Sequence, residues 1–530
     1  MRKKFFLAIC GISVIGLAFV NNQACLGEDK AETVISAGKH EFPQGIIVKK
    51  GEALIVNPGA HLKMGKNTRI IVEGKIIAKG TKDRPIIFSG SDGYWRGIKI
   101  TGQEKIPASD SFWQWLKEGD EQKEHFFLSK IQQGNIFKYC KFENISTEEQ
   151  KLRCTNKRIG ALEIYNSSVQ VSNSEFNDIL HIAGVLTQES YVLVANNSFI
   201  TNFIHKSVNI TRNCIAVIYQ NEIIQQRVKN QTCADGIWVI GSTVLVMSNN
   251  LEGIGDDAVD IKGSRSIIIN NKIDTVWDEG IDLEGGINLV IRNSINNSNE
   301  SGIMITQSKN TALVGNTIRR SNIDGGLTLR NGAVVTATKT TIQDSNTGVL
   351  FKQIIPLGIS EADFIKTKEQ LLVTPPEEIA PGMCDSLTPA DLINKLESAY
   401  TKEGNYYYYK FSTFDGLVEE VFKTIKFEPE AVNTDRIKTL PLYAKQENRL
   451  YLVDSRLENN RKDFLIFNNF LLNINNTEFT DEESKTQIQK KCTADFKPQF
   501  IDDLGVSSVI SNSNRILQVL NRQVLNINEE

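Results

Sequence analysis

The sequence predicts an all-β solenoid of about 22-residue coils followed by a smaller α+β domain, and three observations predict it. The segments GIWVI (236–240), AVDIK (258–262), GIDLE (280–284), GIMIT (302–306), GLTLR (326–330) and GVLFK (348–352) start 22, 22, 22, 24 and 22 residues apart. Each opens on a small residue and then alternates apolar with variable positions, the period of a strand with one buried face. A second column, Asn followed two positions later by Leu, Ile or Phe, recurs at Asn197, Asn221, Asn249, Asn271, Asn293 and Asn316. Past Gln353 both columns stop.

Asparagine tolerates the left-handed backbone of a tight corner, and amides stacked at one corner of successive coils can hydrogen-bond in a ladder. Between the columns run TVLVM, SIIIN and NLVIR, so each repeat holds about three short strands and three turns. The fixed leucine frame of leucine-rich repeats does not fit these units, and a β-sandwich has irregular strand spacing without an asparagine column. At 530 residues the chain exceeds one ordinary compact domain, while 40% hydrophobic and 23% charged residues suit a folded rod with an appendage. A net charge of -3 and the absence of a basic run argue against nucleic acid and anionic membranes as partners.

Residues 1–27 order Arg2, Lys3 and Lys4, then FFLAICGISVIGLAFV, then small residues at Ala24 and Gly27. That order predicts a secretory signal peptide and a secreted, periplasmic or cell-surface protein. No later stretch is apolar enough for an integral membrane segment in the mature chain. Export makes disulfides the expectation for Cys140, Cys154, Cys214, Cys233, Cys384 and Cys492, with buried free thiols as the alternative.

The coil length, the asparagine column and the stretch VEGKIIAKGTKDRPIIFSGSDGYWRGIKI (72–100) resemble the right-handed parallel β-helix proteins, the pectin-lyase-like superfamily. The resemblance covers residues 33–355 and implies that fold. Residues 103–134 interrupt the period with FWQWLKEGDEQKEHFF, an excursion whose Trp113 and Trp115 either stack on sugar or pin it to the rod. Residues 356–385 read as a linker. Residues 386–530 read as a separate α+β domain: TPADLINKLESAY carries a helix cap at Thr388, and NYYYYKF, NRLYLV and DFLIFNNFLLNI read as strands.

The repeat frame gathers the acids of GDDAVD (255–260) and DEGIDLE (278–284) on one edge of the rod. Val259, Ile261, Ile281 and Leu283 point inward. Trp238, Asp260, Asp282, Met304 and Thr328 form one outward file, with Ile240, Lys262, Glu284, Thr306 and Arg330 beside it. Asp256 stacks on Asp278 in the preceding turn, and Asp257 on Glu279. Three readings compete. The acids form a solvated face; or Asp256, Asp260, Asp278, Glu279 and Asp282 bind calcium; or Asp256, Asp257, Asp260 and Asp282 perform acid–base catalysis on a polysaccharide held by Trp238, Lys262, Glu284 and Arg330. Asp256-Asp257 after Gly255 is similar to the Gly-Asp-Asp motif of the superfamily's polygalacturonases, which implies catalytic roles for both. Their Asn-Thr-Asp, Gly-His-Gly and Arg-Ile-Lys motifs are missing, and the pectate-lyase Arg-x-Pro-x-x-Arg is missing too. The expected function is an exported β-helix that binds polysaccharide or a cell-surface glycan, as a hydrolase or lyase type of enzyme. The alternative is a non-catalytic adhesion or scaffold protein that binds its partner through the C-terminal domain.

Overall fold

A computed structural model describes residues 31–106, 110–146, 159–180, 182–201, 206–225, 234–308, 310–352, 358–373, 388–403, 406–409, 448–466, 470–481 and 506–525. The signal-peptide segment therefore lies outside the described residues. The chain winds into three parallel sheets of 14, 14 and 13 strands, here called A, B and C. In a representative coil, Thr243–Met247 lies in sheet A, Asn250–Ile254 in sheet B and Val259–Lys262 in sheet C. Each pairs with the strand one coil further on: Thr243 opposite Arg265, Asn250 opposite Lys272, Val259 opposite Ile281. At ~4.8 Å per coil the rod is about 60 Å long.

The inward residues of the three sheets form one continuous aliphatic core, including Val244, Val246, Leu251, Ile254, Val259 and Ile261. One inward file near the start of the rod is aromatic. Phe142 stacks on Phe88 at 5.3 Å, Phe176 on Phe142 at 4.8 Å and Phe199 on Phe176 at 4.5 Å, matching the coil spacing. Ile223, Leu251 and Ile273 continue this file in sheet B, and the asparagine column runs at the corner between sheets A and B. Asn249 Nδ2 donates to Asn271 Oδ1 at 2.9 Å, Asn271 Nδ2 to Asn293 Oδ1 at 2.9 Å, and Asn293 Nδ2 to Asn316 Oδ1 at 3.1 Å. The same amides cap sheet A carbonyls, as Asn271 Nδ2 does for Val246 O at 3.0 Å.

The ladder forms as expected, but the left-handed residue is its predecessor. Asn196, Gln220, Ser248, Asn270 and Arg292 have φ between 49° and 56°, while the ladder asparagines do not enter that region. A buried amide bonded on both sides is the reason for asparagine here, not backbone tolerance. A second column, absent from the sequence reading, lines the corner between sheets C and A. There Cys214 N donates to Ser242 Oγ at 3.1 Å and Ser242 N to Ser264 Oγ at 3.2 Å.

The excursion is helical: α1 spans Asp110–Glu118 and α2 spans Glu121–Gln133, with Asp120 capping α2 through the amides of Gln122 and Lys123. Trp113 and Trp115 are buried against Phe127, Leu128, Tyr191 and Leu193, so they pin the excursion to the outer face of sheet A and offer no sugar platform. Beyond the main rod come α3 (Glu361–Val373), α4 (Pro389–Ala399) and a three-stranded antiparallel sheet. Thr388 and Asp391 form the expected capping box on α4, and α3 occupies part of the segment read as a linker. The strands at Asn448–Val453, Arg456–Glu458 and Lys462–Ile466 do not build a separate sheet. They pair in parallel with Val334–Thr338, Thr341–Gln343 and Thr347–Lys352, adding a coil to the rod, and Phe470–Asn475 adds to sheet A beyond it. Their alternating apolar positions bury the end of the core that residues 334–352 would otherwise expose. The last helix, α5 (Val506–Leu520), returns to α1, where Asn512 Nδ2 donates to Lys117 O at 2.9 Å and Arg515 pairs with Glu124 at 3.1 Å.

Cys140 and Cys214 are buried free thiols, which corrects the disulfide expectation for these two; the other four cysteines lie outside the described residues. Cys214 Sγ sits in the core against Thr211 O at 3.1 Å, and burial pushes its thiol up to about 11. Among the described residues no helix is long and apolar enough to cross a membrane.

Candidate functional site on the outer face of sheet C

Sheet C places the two outward files as expected. Asn209, Trp238, Asp260, Asp282, Met304 and Thr328 follow one another coil by coil, and beside them run Ile240, Lys262, Glu284, Thr306 and Arg330. The turn residues stack as well, for Glu279 N donates to Asp257 Oδ1 at 3.0 Å and Asp278 N to Asp256 O at 3.2 Å.

The acids are not a solvated face. Asp257, Asp260, Glu279 and Asp282 expose 9%, 4%, 3% and 3% of their surface, whereas Asp256, Asp278 and Glu284 are half-buried. The splaying into water that would relieve their repulsion does not occur for these four buried carboxyls. Burial in a low-dielectric site disfavours the charged form, and adjacent acids add to the effect. Burial pushes the Asp260 carboxyl up to about 7, against the pull of Lys262. Asp257 is raised well above the usual carboxylate range by burial and then by Asp260 and Asp235; Asp282 is raised by burial and then by Glu284 and Asp260. Glu279 is raised by burial, then by Asp257 and Asp282, and half-buried Glu300 is raised in the same way beside Asp278.

The cations on this face are engaged. Lys262 pairs with Glu284 at 3.0 Å and with Asp260 at 3.5 Å. Arg330 pairs with Asp324 at 2.6 Å, and Lys352 approaches the same carboxylate at 3.2 Å. Arg330 and Glu284, expected to contact substrate, each take part in an ion pair. Lys206 is bonded to Asp235 and lies 3.9 Å from the centre of the Trp238 ring, so one face of Trp238 already holds a cation.

Two residues that sequence reasoning missed complete the cluster. Asp235 precedes Asp257 by one coil, as Asp257 precedes Glu279, and the 22-residue spacing contained that signal. Lys206 lies 29 residues before its partner Asp235 across a lengthened coil, so no fixed spacing reveals it. The oxygens of Asp235, Asp257 and Asp260 lie within 4.8 Å of one another, and so do those of Asp257, Asp278 and Glu279. Asp257 is common to both groups. Asp256 and Asp282, expected as ligands, belong to neither. Asp260 Oδ1, Asp278 Oδ1 and Asp282 Oδ1 are buried without a hydrogen-bond partner among the described residues. Such oxygens suit a hard cation, whose ligands are carboxylates and carbonyls, as well as they suit proton exchange.

Sheets, register and site together define a right-handed parallel β-helix protein with a buried carboxyl cluster on one outer face. Residues 207–354 match the family model described as a right handed beta helix region, which spans the coils carrying the cluster. Solved structures similar to the chain include the periplasmic alginate epimerase AlgG, at 13% identity and a TM-score of 0.43 over 85% of each chain. The Dettilon tailspike protein gp208 shares 13% identity at a TM-score of 0.29, over 57% of this chain and 61% of its own. The A-module of the Azotobacter vinelandii mannuronan C-5 epimerase AlgE6 shares 10% identity at 0.29, over 86% and 92%. Superpositions this loose carry no argument about substrate. No curated protein sequence matches the chain.

Proposed function

We propose that the chain is an exported polysaccharide-binding protein that performs acid–base chemistry on its glycan at the outer face of sheet C. One observation carries this reading: a single cluster holds buried carboxyl groups within reach of one another whose pKa values are raised by burial and by each other. Burial lifts Asp257 well above the usual carboxylate range, and Asp260, whose oxygen lies within 4.8 Å of it, is raised to about 7. Environments that push neighbouring carboxyls apart are how one site supplies both an acid and a base. Their separation is shorter than the gap an inverting pair leaves for water, which favours direct transfer between the glycan and the paired carboxyls. Asp260→Asn and Asp257→Asn should each abolish turnover of a saccharide substrate while melting stays intact or rises. Full turnover in both variants would remove these carboxyls from the chemistry, and no turnover of any tested saccharide by the native chain would leave a non-catalytic adhesion or scaffold role.

Calcium is the proposed cofactor on a separate observation, the two carboxyl groups of three that share Asp257. Asp235, Asp257, Asp260, Asp278 and Glu279 are its candidate ligands, and it would offset their mutual repulsion. A hundredfold excess of free ion over its Kd should stabilise the fold by about 2.7 kcal/mol. Melting with calcium against melting with a chelator measures this, and the difference should vanish in Asp257→Asn. Identical melting in the native chain removes the cation.

A further inference from the structure

On the outer face of sheet B, near the start of the rod, successive coils set a hydroxyl, an imidazole, an ammonium and a carboxylate side by side. Strands Gly38–Phe42, Ala60–Met64, Ile86–Gly90 and Cys140–Ser146 follow one another there. One outward file runs Lys39, His61, Ile87 and Lys141, and the next runs Glu41, Lys63, Ser89 and Glu143. His61 reaches diagonally to the following coil, where its Nε2 lies 2.8 Å from Ser89 Oγ. Ser89 is 4% exposed, whereas His61, Lys63, Ile87 and Glu143 around it are half-buried.

A serine hydroxyl is a weak nucleophile until an adjacent base takes its proton. In the neutral ring that carries its proton on Nδ1, His61 Nε2 accepts the Ser89 O–H. Burial and then Lys63 hold the imidazole below its ordinary value, with Lys39 adding to the effect and Glu143 opposing it, so the ring is a free base at neutral pH. Lys39 pairs with Glu41 at 3.0 Å and Lys141 with Glu175 at 2.8 Å, whereas Lys63 and Glu143 have no ion pair among the described residues. Each has a place in acyl transfer. Lys63, opposite Ser89 on the preceding coil, is the cation nearest the oxygen that gains charge when the serine adds to a carbonyl. Glu143, on the other side of Ser89, favours the imidazolium that forms once His61 holds the proton.

We propose that Ser89 and His61 form a second reactive site, on sheet B, which cleaves carboxylic esters that carry a small acyl group. It stands apart from the sheet C cluster and does not rest on the polysaccharide reading. Ser89 Oγ bonds to the acyl carbon as its proton passes to His61 Nε2; the ester C–O bond breaks, and the alcohol leaves with that proton. Water then attacks the acyl-serine, gives its proton to the same nitrogen, and the proton returns to Ser89 as the acid departs. The acyl group is small because so little of Ser89 is open between its half-buried neighbours.

Labelling of the full chain with a small alkyl fluorophosphonate, followed by peptide mass mapping, tests this. The label should sit on Ser89, be absent there in Ser89→Ala, and form roughly a hundredfold more slowly in His61→Gln. Its rate in the native chain should climb with pH through the mildly acid range and be level from about pH 7 to about pH 9, because the ring that must be neutral is held below its ordinary value. The native chain should also hydrolyse p-nitrophenyl acetate roughly tenfold or more faster than Ser89→Ala, and a quenched reaction should show acetyl on Ser89. Lys63→Met should slow both reactions without a change in melting. Absence of label on Ser89, or a rate that keeps climbing from about pH 7 to about pH 9, overturns the site. Labelling that is unchanged in a folded His61→Gln does the same, and if that variant melts early the native pH profile decides. A hexanoate ester cleaved as fast as the acetate overturns the small-acyl assignment.

Discussion

The outer faces of sheets A and C begin from the same backbone and end as opposites. Both repeat at one strand per coil, and both turn their inner side to the same aliphatic core. On sheet A the outward residues are Tyr191, Leu193, Val217, Leu245, Ile267 and Leu289, and they form a second apolar cluster with α1, α2 and α5. On sheet C the equivalent outward positions carry Asn209, Trp238, Asp260 and Asp282. An apolar face must be covered, so it recruits helices from an early excursion and from the far end of the chain. A polar face can be left for a ligand. In this solenoid the outer face, not the coil, carries the functional difference.

Breaking the covered face should have the largest effect. Trp115 is 1% exposed and packs on Phe127 at a ring distance of 5.1 Å. Trp115→Ala should cost about 3–5 kcal/mol, read as a lower urea midpoint, and should expose apolar surface to a hydrophobic dye. A loss under about 1 kcal/mol would show that the helices merely rest on sheet A. A change in the shared corner should come next, since it weakens both faces alike. Asn293→Val removes a ladder amide, taking from Asn271 its Asn293 Oδ1 acceptor and from Ile268 O the Asn293 Nδ2 donor, at a cost of about 1–3 kcal/mol. Unchanged melting would show that the ladder is incidental.

Changes on sheet C should act in the opposite direction. At pH 8, Asp282→Asn should stabilise the chain by about 1–2 kcal/mol, because it removes a buried acid that its neighbours repel. The gain should shrink as pH falls, because burial raises the Asp282 carboxyl and protonation removes the charge that its neighbours repel. Destabilisation at pH 8 would mean that Asp282 is held by an attraction this face does not display. The smallest effect is the pH dependence itself. The folded pKa of Asp260 is raised to about 7, and that of an unfolded aspartate lies near 4. The folded form therefore binds more protons between those values, and this contribution to stability is lost as pH rises through about 7. Melting should be higher at pH 5 than at pH 8, and Asp260→Asn should flatten the difference. A native profile rising toward pH 8 would place Asp260 among ionised, paired acids.

Local periodicity determined much of this protein. Spacing alone places Val259 and Ile261 inward and Asp260 outward, since a strand alternates and a coil repeats, and it brings Asp257 beside Glu279. The asparagine ladder was legible for the same reason, although its role was read as backbone tolerance when the structure shows amide bonding. Three things depended on contacts between residues far apart in sequence. The strands at 448–479 join the rod because its end needs covering, which no local pattern encodes. Lys206 reaches Asp235 across a coil of irregular length. The raised pKa values of Asp257, Asp260 and Glu279 follow from burial, and burial depends on which side chains crowd a site in space. A pattern of residue types records where a side chain points; only the packed structure decides how much water it keeps.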